Sequence, residues 1–172
     1  MSDLILTLGD TSASRAPDEA QLLLHGHPRD RAALSALAGF DLSDTMLAST
    51  AGSGWHALHL SPDEWLLVGP NGGRGDMAAR FAEAPIVLSL VDISDRSVGI
   101  DLTGPLADDL LAGGCPLDLA TLSPGGCTRT LFGKVTVLLW RRDDGWRMSH
   151  ARSYDAYVVD LLCAVAEDLA SP

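Results

Sequence analysis

Positive charge is scarce in this sequence. Lys and Arg together number 12 against 23 Asp and Glu, a formal net charge of −11. A phosphate backbone or an anionic lipid surface is held by clustered cations that displace counterions, and a chain so acidic has none to offer. Nucleic acid and membrane surfaces are thereby excluded as partners. Long apolar runs are missing too: no stretch approaches the ~20 residues that span a bilayer as a helix. The N-terminus, MSDLILTLGDTSASRAPDEA, lacks a basic opening, and its apolar run is too short for a signal peptide, so a cytoplasmic location is expected. Cysteine is sparse and odd in number. Cys115, Cys127 and Cys163 lie far apart with no C-x-x-C, which argues against a disulfide framework or a zinc ribbon and for free buried thiols.

The signatures of chemistry are also thin. The Gly-rich stretch NGGRG from Asn71 lacks the Lys-Ser/Thr ending of a phosphate loop and the G-x-G-x-x-G spacing, so it reads as a surface loop. The RGD at Arg74 to Asp76 reads as a helix start. There is no G-x-S-x-G elbow, and neither Cys115 nor Cys127 has a partner recognisable in sequence. Ser149 and His150 are neighbours on a predicted strand and face opposite ways, the wrong arrangement for a Ser-His pair. His25 and His27 share one strand face, but two imidazoles do not complete a metal site, and His56 and His59 face opposite ways. Asp92, Asp95 and Arg96 form the most pointed polar cluster and read as a turn held by an ion pair. No residue is singled out as catalytic, cofactor-binding or metal-binding.

What is present is a core and a repeated grammar. With 172 residues, 47% of them hydrophobic, the chain can bury one proper core. A single domain over 21–172 is expected, preceded by an N-terminal arm and loop, 1–20. Leu4, Ile5 and Leu6 are candidate docking residues of that arm, or an ordinary edge strand. PRDRAALSALAGF predicts a small helix with Pro28 in its first turn and Gly39 just past its end. GWHALHL and WLLVGP, joined by the turn SPDE, predict a hairpin, followed by a short helix carrying Met77 and Phe81 on one face. APIVLSLVDI and VGIDL predict a second hairpin across SDRS, then a helix opening near Pro105 and stopping at Gly113-Gly114. KVTVLLW and WRMSHA predict a third across RRDDG, followed by the helix SYDAYVVDLLCAVAEDL. Ser153 is its expected N-cap, and its apolar stripe runs from Tyr154 and Tyr157 through Val158, Leu161, Leu162 and Val165 to Leu169.

Strand pairs alternating with single helices predict an α+β fold: duplicated ferredoxin-like hairpin-helix units, antiparallel sheets with helices packed on one side. Trp65 and Trp146 occupy matching places in matching units. The hairpin SPDEWLLVGP is then chiefly a core strand. Trp55 and Trp146, beside turns, are candidate interface anchors, with core packing the favoured role.

The run VDISDRSVGIDLTGPLADDLLAGGCPLDL, then SPGGCTRTLFGKVTVLLWR and the SYDAYVVDLL helix, resembles the gamma subunit of heterotetrameric sarcosine oxidase. SPDEWLLVGP is similar to that family's corresponding hairpin, and the likeness covers most of the chain from about Ala51 onward. More distantly, D-x-S-D-R followed by a strand, G-P-x-A-x-x-L-L and P-G resembles the folate-binding aminomethyltransferase T-protein of glycine cleavage. The resemblance implies a fold like a fragment of the aminomethyltransferase folate-binding domain. It further implies a non-catalytic, structural subunit of a complex that oxidises sarcosine to glycine and hydrogen peroxide, the one-carbon unit passing to tetrahydrofolate or leaving as formaldehyde. By the same resemblance, FAD, FMN, NAD and tetrahydrofolate are carried by larger flavoprotein and folate-binding subunits, and no cofactor is bound by this chain. Two other readings stay open: a stand-alone folate-binding or one-carbon transfer protein, whose pterin-pairing carboxylate would be Asp92, Asp95 or Asp101, and a homo-oligomeric scaffold.

Overall fold

The structure, a computed structural model, describes residues 3–171. The chain divides into two compact units: a flanking unit, made of the residues up to Pro17 and those from Asp95 on, and an inserted unit, Asp18–Ser94. Each has its own hydrophobic core.

The flanking unit begins with two short strands, β1 (Leu4–Leu8) and β2 (Thr11–Arg15). The inserted unit then runs β3 (Glu19–Gly26), α1 (Arg31–Ala38), β4 (Ser49–Gly52), β5 (Trp55–Ser61), β6 (Glu64–Pro70), α2 (Arg74–Ala82) and β7 (Leu88–Asp92). Its antiparallel sheet has the order β4-β5-β6-β3-β7. Alternation along the strands sends Leu22, Leu24, Trp65 and Leu67 to one face, where Leu34 and Ala38 of α1 and Met77 and Phe81 of α2 complete the core. Gly39 ends α1 at φ 82°, a left-handed position that favours glycine, and its N–H bonds the Ser35 carbonyl. On β6, Gly69 is required by close approach: a Cβ there would lie 2.3 Å from the Trp55 ring.

The chain returns to the flanking unit with β8 (Ser97–Thr103), α3 (Ala107–Ala112), β9 (Cys127–Phe132), β10 (Val135–Arg142), β11 (Gly145–Ala151) and α4 (Asp155–Ala170). The six-stranded sheet has the order β1-β2-β8-β11-β10-β9, again antiparallel throughout. Leu110 and Leu111 of α3 and Val158, Leu162 and Val165 of α4 share a core with Ile100, Leu102, Leu139, Trp146 and Met148.

The expected duplication is present, strand for strand. β3-α1-β4-β5-β6-α2 and β8-α3-β9-β10-β11-α4 follow the same course, and their strands are ordered β4-β5-β6-β3 and β9-β10-β11-β8. Trp65 and Trp146 each occupy the second position of the matching strand. Each also carries a cross-strand neighbour over its ring: His59 stacks on Trp65 at 4.7 Å, and the Arg141 guanidinium lies 4.6 Å from the Trp146 centroid. Each matching strand then leads through a three-residue 3-10 turn, Asn71–Gly73 or Arg152–Tyr154, into its helix.

Four local expectations are corrected. Thr11–Arg15, read as loop, is a strand, because β8 offers it a pairing edge that its small polar residues do not advertise. The boundary placed after residue 20 falls inside β3, and the arm supplies β1 and β2 to a sheet. β7 does not form a hairpin with β8: it pairs with β3, while β8 lies between β2 and β11. Finally, α4 starts at Asp155 after the 3-10 turn, without a Ser153 cap, and its stripe is narrower than the sequence suggests, since Tyr154, Tyr157 and Leu169 are exposed.

Candidate functional site

Of the three carboxylates that could pair with a pterin, Asp92 and Asp101 are each committed to a protein partner. Asp101 on β8 faces Arg147 on β11 across the pair Arg147↔Asp101, where the guanidinium donates from Nε to Oδ1 and from Nη2 to Oδ2 at 3.0 Å. Arg147 is only 5% exposed, so the guanidinium side of this fork-to-fork pair is buried, while Asp101 keeps partial access to water. Asp92 ends β7, where its Oδ1 accepts from the Ser94 N–H (3.0 Å) and hydroxyl (2.6 Å), and its Oδ2 lies 3.3 Å from Arg74 Nε. The Ser94 hydroxyl above all holds the Asp92 carboxyl below the usual carboxylate range. Asp95 acts through its backbone, its carbonyl accepting from Arg152 Nε at 3.0 Å, and the Arg96 carbonyl accepts from the Arg152 N–H. The ion pair expected at this turn is therefore made by Asp92 with Arg74, not with Arg96.

Two of the histidines have local partners. His25 Nε2 lies 2.9 Å from Glu64 Oε2, and His27 Nδ1 accepts from the Arg29 N–H to cap the turn ahead of α1. His59 is buried against Trp65, and neither of its ring nitrogens has a hydrogen-bond partner among the described residues. Among the described residues, no three His, Cys, Asp or Glu side chains gather as a metal site. Cys115 and Cys127 are buried, Cys163 is half-buried, and all three are free thiols.

One constellation escapes the sequence reading. His150, 3% exposed at the end of β11, meets Asp155 at the start of α4, Nε2 to Oδ1 at 3.1 Å, and Arg15 from the end of β2 binds the same carboxylate. Burial pushes the His150 imidazole down from its ordinary value, against the opposing pull of Asp155. The Arg15 guanidinium holds the Asp155 carboxyl low. A neutral His150 that donates Nε2–H to Asp155 leaves Nδ1 as a bare lone pair, and that atom is buried without a partner. A His–Asp pair in this form resembles half of a catalytic triad, but its free nitrogen is buried. In the sequence His150 drew notice only as the neighbour of Ser149. Arg15 stood in a stretch read as loop.

Surface features complete the picture. Ala112, Gly113, Gly114, Cys115, Pro116, Leu131, Gly133, Tyr157 and Leu161 line an open groove of about 450 Å³ with no carboxylate, Lys or His in its wall. Of its lining residues Leu131 (44%) and Tyr157 (39%) are exposed, and Tyr154 (53%) is exposed just before α4. In the N-terminal strand Leu4 is exposed, whereas Ile5 and Leu6 pack half-buried on the core. Trp55 and Trp146 are both buried, as core packing requires. The RGD sequence starts α2, as expected. Among the described residues no helix is long and apolar enough to cross a membrane.

No family model matches the chain. It is 29% identical over 147 residues to sarcosine oxidase subunit gamma of an Arthrobacter species, covering 82% of this chain and 71% of the relative. To sarcosine oxidase subunit gamma of Corynebacterium sp. (strain P-1) it is 30% identical over 147 residues, covering 81% and 71%. A chain of the heterotetrameric sarcosine oxidase of Corynebacterium sp. U-96, solved with pyrrole 2-carboxylate, superposes with a TM-score of 0.84 at 25% identity over 98% of this chain and 90% of that one. The glycine cleavage system aminomethyltransferase T of Bartonella henselae shares the fold, with a TM-score of 0.70 at 15% identity over 91% of this chain and 46% of that one. The chain belongs to the family of sarcosine oxidase gamma subunits.

Proposed function

We propose that this chain is a non-catalytic, structural subunit of a cytoplasmic sarcosine oxidase-type complex, and that its partners are the larger flavoprotein and folate-binding subunits. In this reading FAD, FMN, NAD and tetrahydrofolate sit on those partners, sarcosine is oxidised there to glycine with hydrogen peroxide, and the one-carbon unit leaves on tetrahydrofolate or as formaldehyde. The observation that carries the reading is the engagement of the best-formed acid–base groups by structural partners: Asp101 by Arg147, Asp92 by Ser94 and Arg74, and His150 by Asp155. A general acid has to present a proton to a substrate, and a general base a lone pair; the carboxylates accept from the fold instead, and His150 meets Asp155. Leu131 and Tyr157 of the apolar groove, with the exposed Tyr154 just before α4, are the residues best suited to anchor a larger subunit, since exposed aromatic rings bury large area at low entropic cost.

Co-purification tests this. The chain, tagged in its native cells, should bring larger partners and a yellow flavin spectrum, with peroxide release on addition of sarcosine. A colourless chain recovered alone, binding a reduced folate at micromolar concentration, would replace the proposal with the stand-alone folate reading. A colourless homo-oligomer without folate affinity would replace it with the scaffold reading.

A further inference from the structure

The two repeats exchange their opening strands. β2 leads directly into β3, with only Ala16, Pro17 and Asp18 between them, yet it pairs with β8. β7 leads into β8, with only Ile93, Ser94, Asp95 and Arg96 between them, yet it pairs with β3. The two strands hold equivalent positions in the two repeats. Arg15 at the end of β2 lies opposite Ile100, and Asp92 at the end of β7 lies opposite Leu22; Ile100 and Leu22 in turn lie opposite Met148 and Leu67, each two residues beyond its Trp. The next residues repeat the match, Ala16 N–H bonding the Gly99 carbonyl and Ile93 N–H bonding the Gln21 carbonyl.

At each equivalent position the last residue of the exchanged strand meets the first residue of the helix, and the signs are inverted. In the inserted unit the helix supplies the cation and the strand the anion, Arg74 with Asp92. In the flanking unit the helix supplies the anion and the strand the cation, Asp155 with Arg15. The competing arrangement is the local one, in which each strand folds back on its own successor as an antiparallel hairpin. Loop closure favours that alternative, because its contacts are near in sequence. In the native register, β2 beside β3 would set Arg15 against Arg74, and β7 beside β8 would set Asp92 against Asp155. Both attractions become like-charge contacts.

We infer that this pair of sign-inverted contacts is a selector that directs β2 and β7 into the exchanged sheets and disfavours the two local hairpins. The work is done by the difference between the arrangements. Each contact alone is a partly exposed ion pair of small value, but the wrong topology loses two attractions and gains two repulsions.

The test uses the full chain and a reporter of strand placement. Ser12 and Thr103 are cross-strand neighbours on β2 and β8 with hydroxyls 3.1 Å apart. In an S12C/T103C background, refolding from urea with oxidised glutathione forms the cross-link between positions 12 and 103 when β2 has reached β8, and peptide mapping separates this bond from any made by Cys115, Cys127 or Cys163. R74D/D92R makes both contacts carry the same sign, and so does R15D/D155R; all four substitutions together restore the inversion. Each double variant should lower the native cross-linked fraction by about threefold or more, the scale set by ion pairs of this exposure. The quadruple variant should recover it. Both double variants also lose local bonds, Asp92 to Ser94 or Asp155 to His150, and the quadruple loses both. If the contacts matter only locally, the quadruple is the worst of the set, and that result overturns the inference. Double variants that cross-link as well as the parent overturn it too.

Discussion

His150 is a basic group placed where its charged form is unwelcome. Burial lowers its folded pKa below the ordinary imidazole value of about 6.5. Below that pH the unfolded chain therefore takes up a proton that the folded chain refuses, and stability falls as pH drops from about 6.5 toward the folded pKa. Asp155 and Asp92 have the carboxylate form of the same linkage. Their folded pKa values are depressed, so their contribution is complete above the unfolded value of about 3.9 and is lost as pH falls through the folded one. The imidazole window opens at about 6.5, above the carboxylate one, so its upper part tests His150. Urea unfolding of H150N between pH 5 and 7.5 should show a flatter pH dependence than the wild type over the imidazole window; an unchanged slope would show that the proton uptake lies elsewhere. At this scale the sequence revealed residue types but not engagement. Asp92 and Asp101 stood out as possible ligands because nothing in their neighbours announces Ser94 Oγ or Arg147, and Arg147 comes to Asp101 only through β8–β11 register.

Elements were most legible where their determinants are local. The hairpins β5–β6 and β10–β11 follow from turn chemistry flanked by apolar runs, and α4 from its 3.6-residue stripe. Leu162, buried in that stripe, is where the helix meets the sheet. L162A should cost about 3 kcal/mol in chemical denaturation, the usual scale for truncating a buried leucine. A cost below about 1 kcal/mol would place it at a yielding surface instead. Elements failed to show where the choice of partner is non-local. VDISDRSVGIDL has every mark of a hairpin, and its two strands do pair antiparallel, but with β3 and with β2 and β11 respectively. TSASR has no apolar alternation at all and becomes a strand because an edge of β8 is open to it.

For the whole molecule, the duplication accounts for more of the sequence than any site does. Trp65 and Trp146, the 3-10 turns and the two helix starts are the same design used twice, and the family is that of sarcosine oxidase gamma subunits. What differs between the halves is the surface, and Tyr154 and Tyr157 appear only on the second. Y154A/Y157A should therefore leave the isolated chain within about 0.5 kcal/mol of wild-type stability, as exposed positions do, while lowering its recovery in the complex by several-fold in pull-down. Normal recovery would move the anchor elsewhere, with Leu4 the next residue to truncate.

In the proposed role this chain holds a complex together and does no chemistry in it. The most direct measurement is kcat for sarcosine, per flavin, of purified complexes carrying wild-type, D101N or H150N versions of the chain. The two variants remove the best-formed acid–base groups it has. Turnover within about twofold of wild type is predicted, because neither group touches a reacting atom. A larger loss of kcat in complexes of unchanged subunit composition, toward the hundredfold scale of a missing general acid or base, would contradict the claim and place catalysis on this chain.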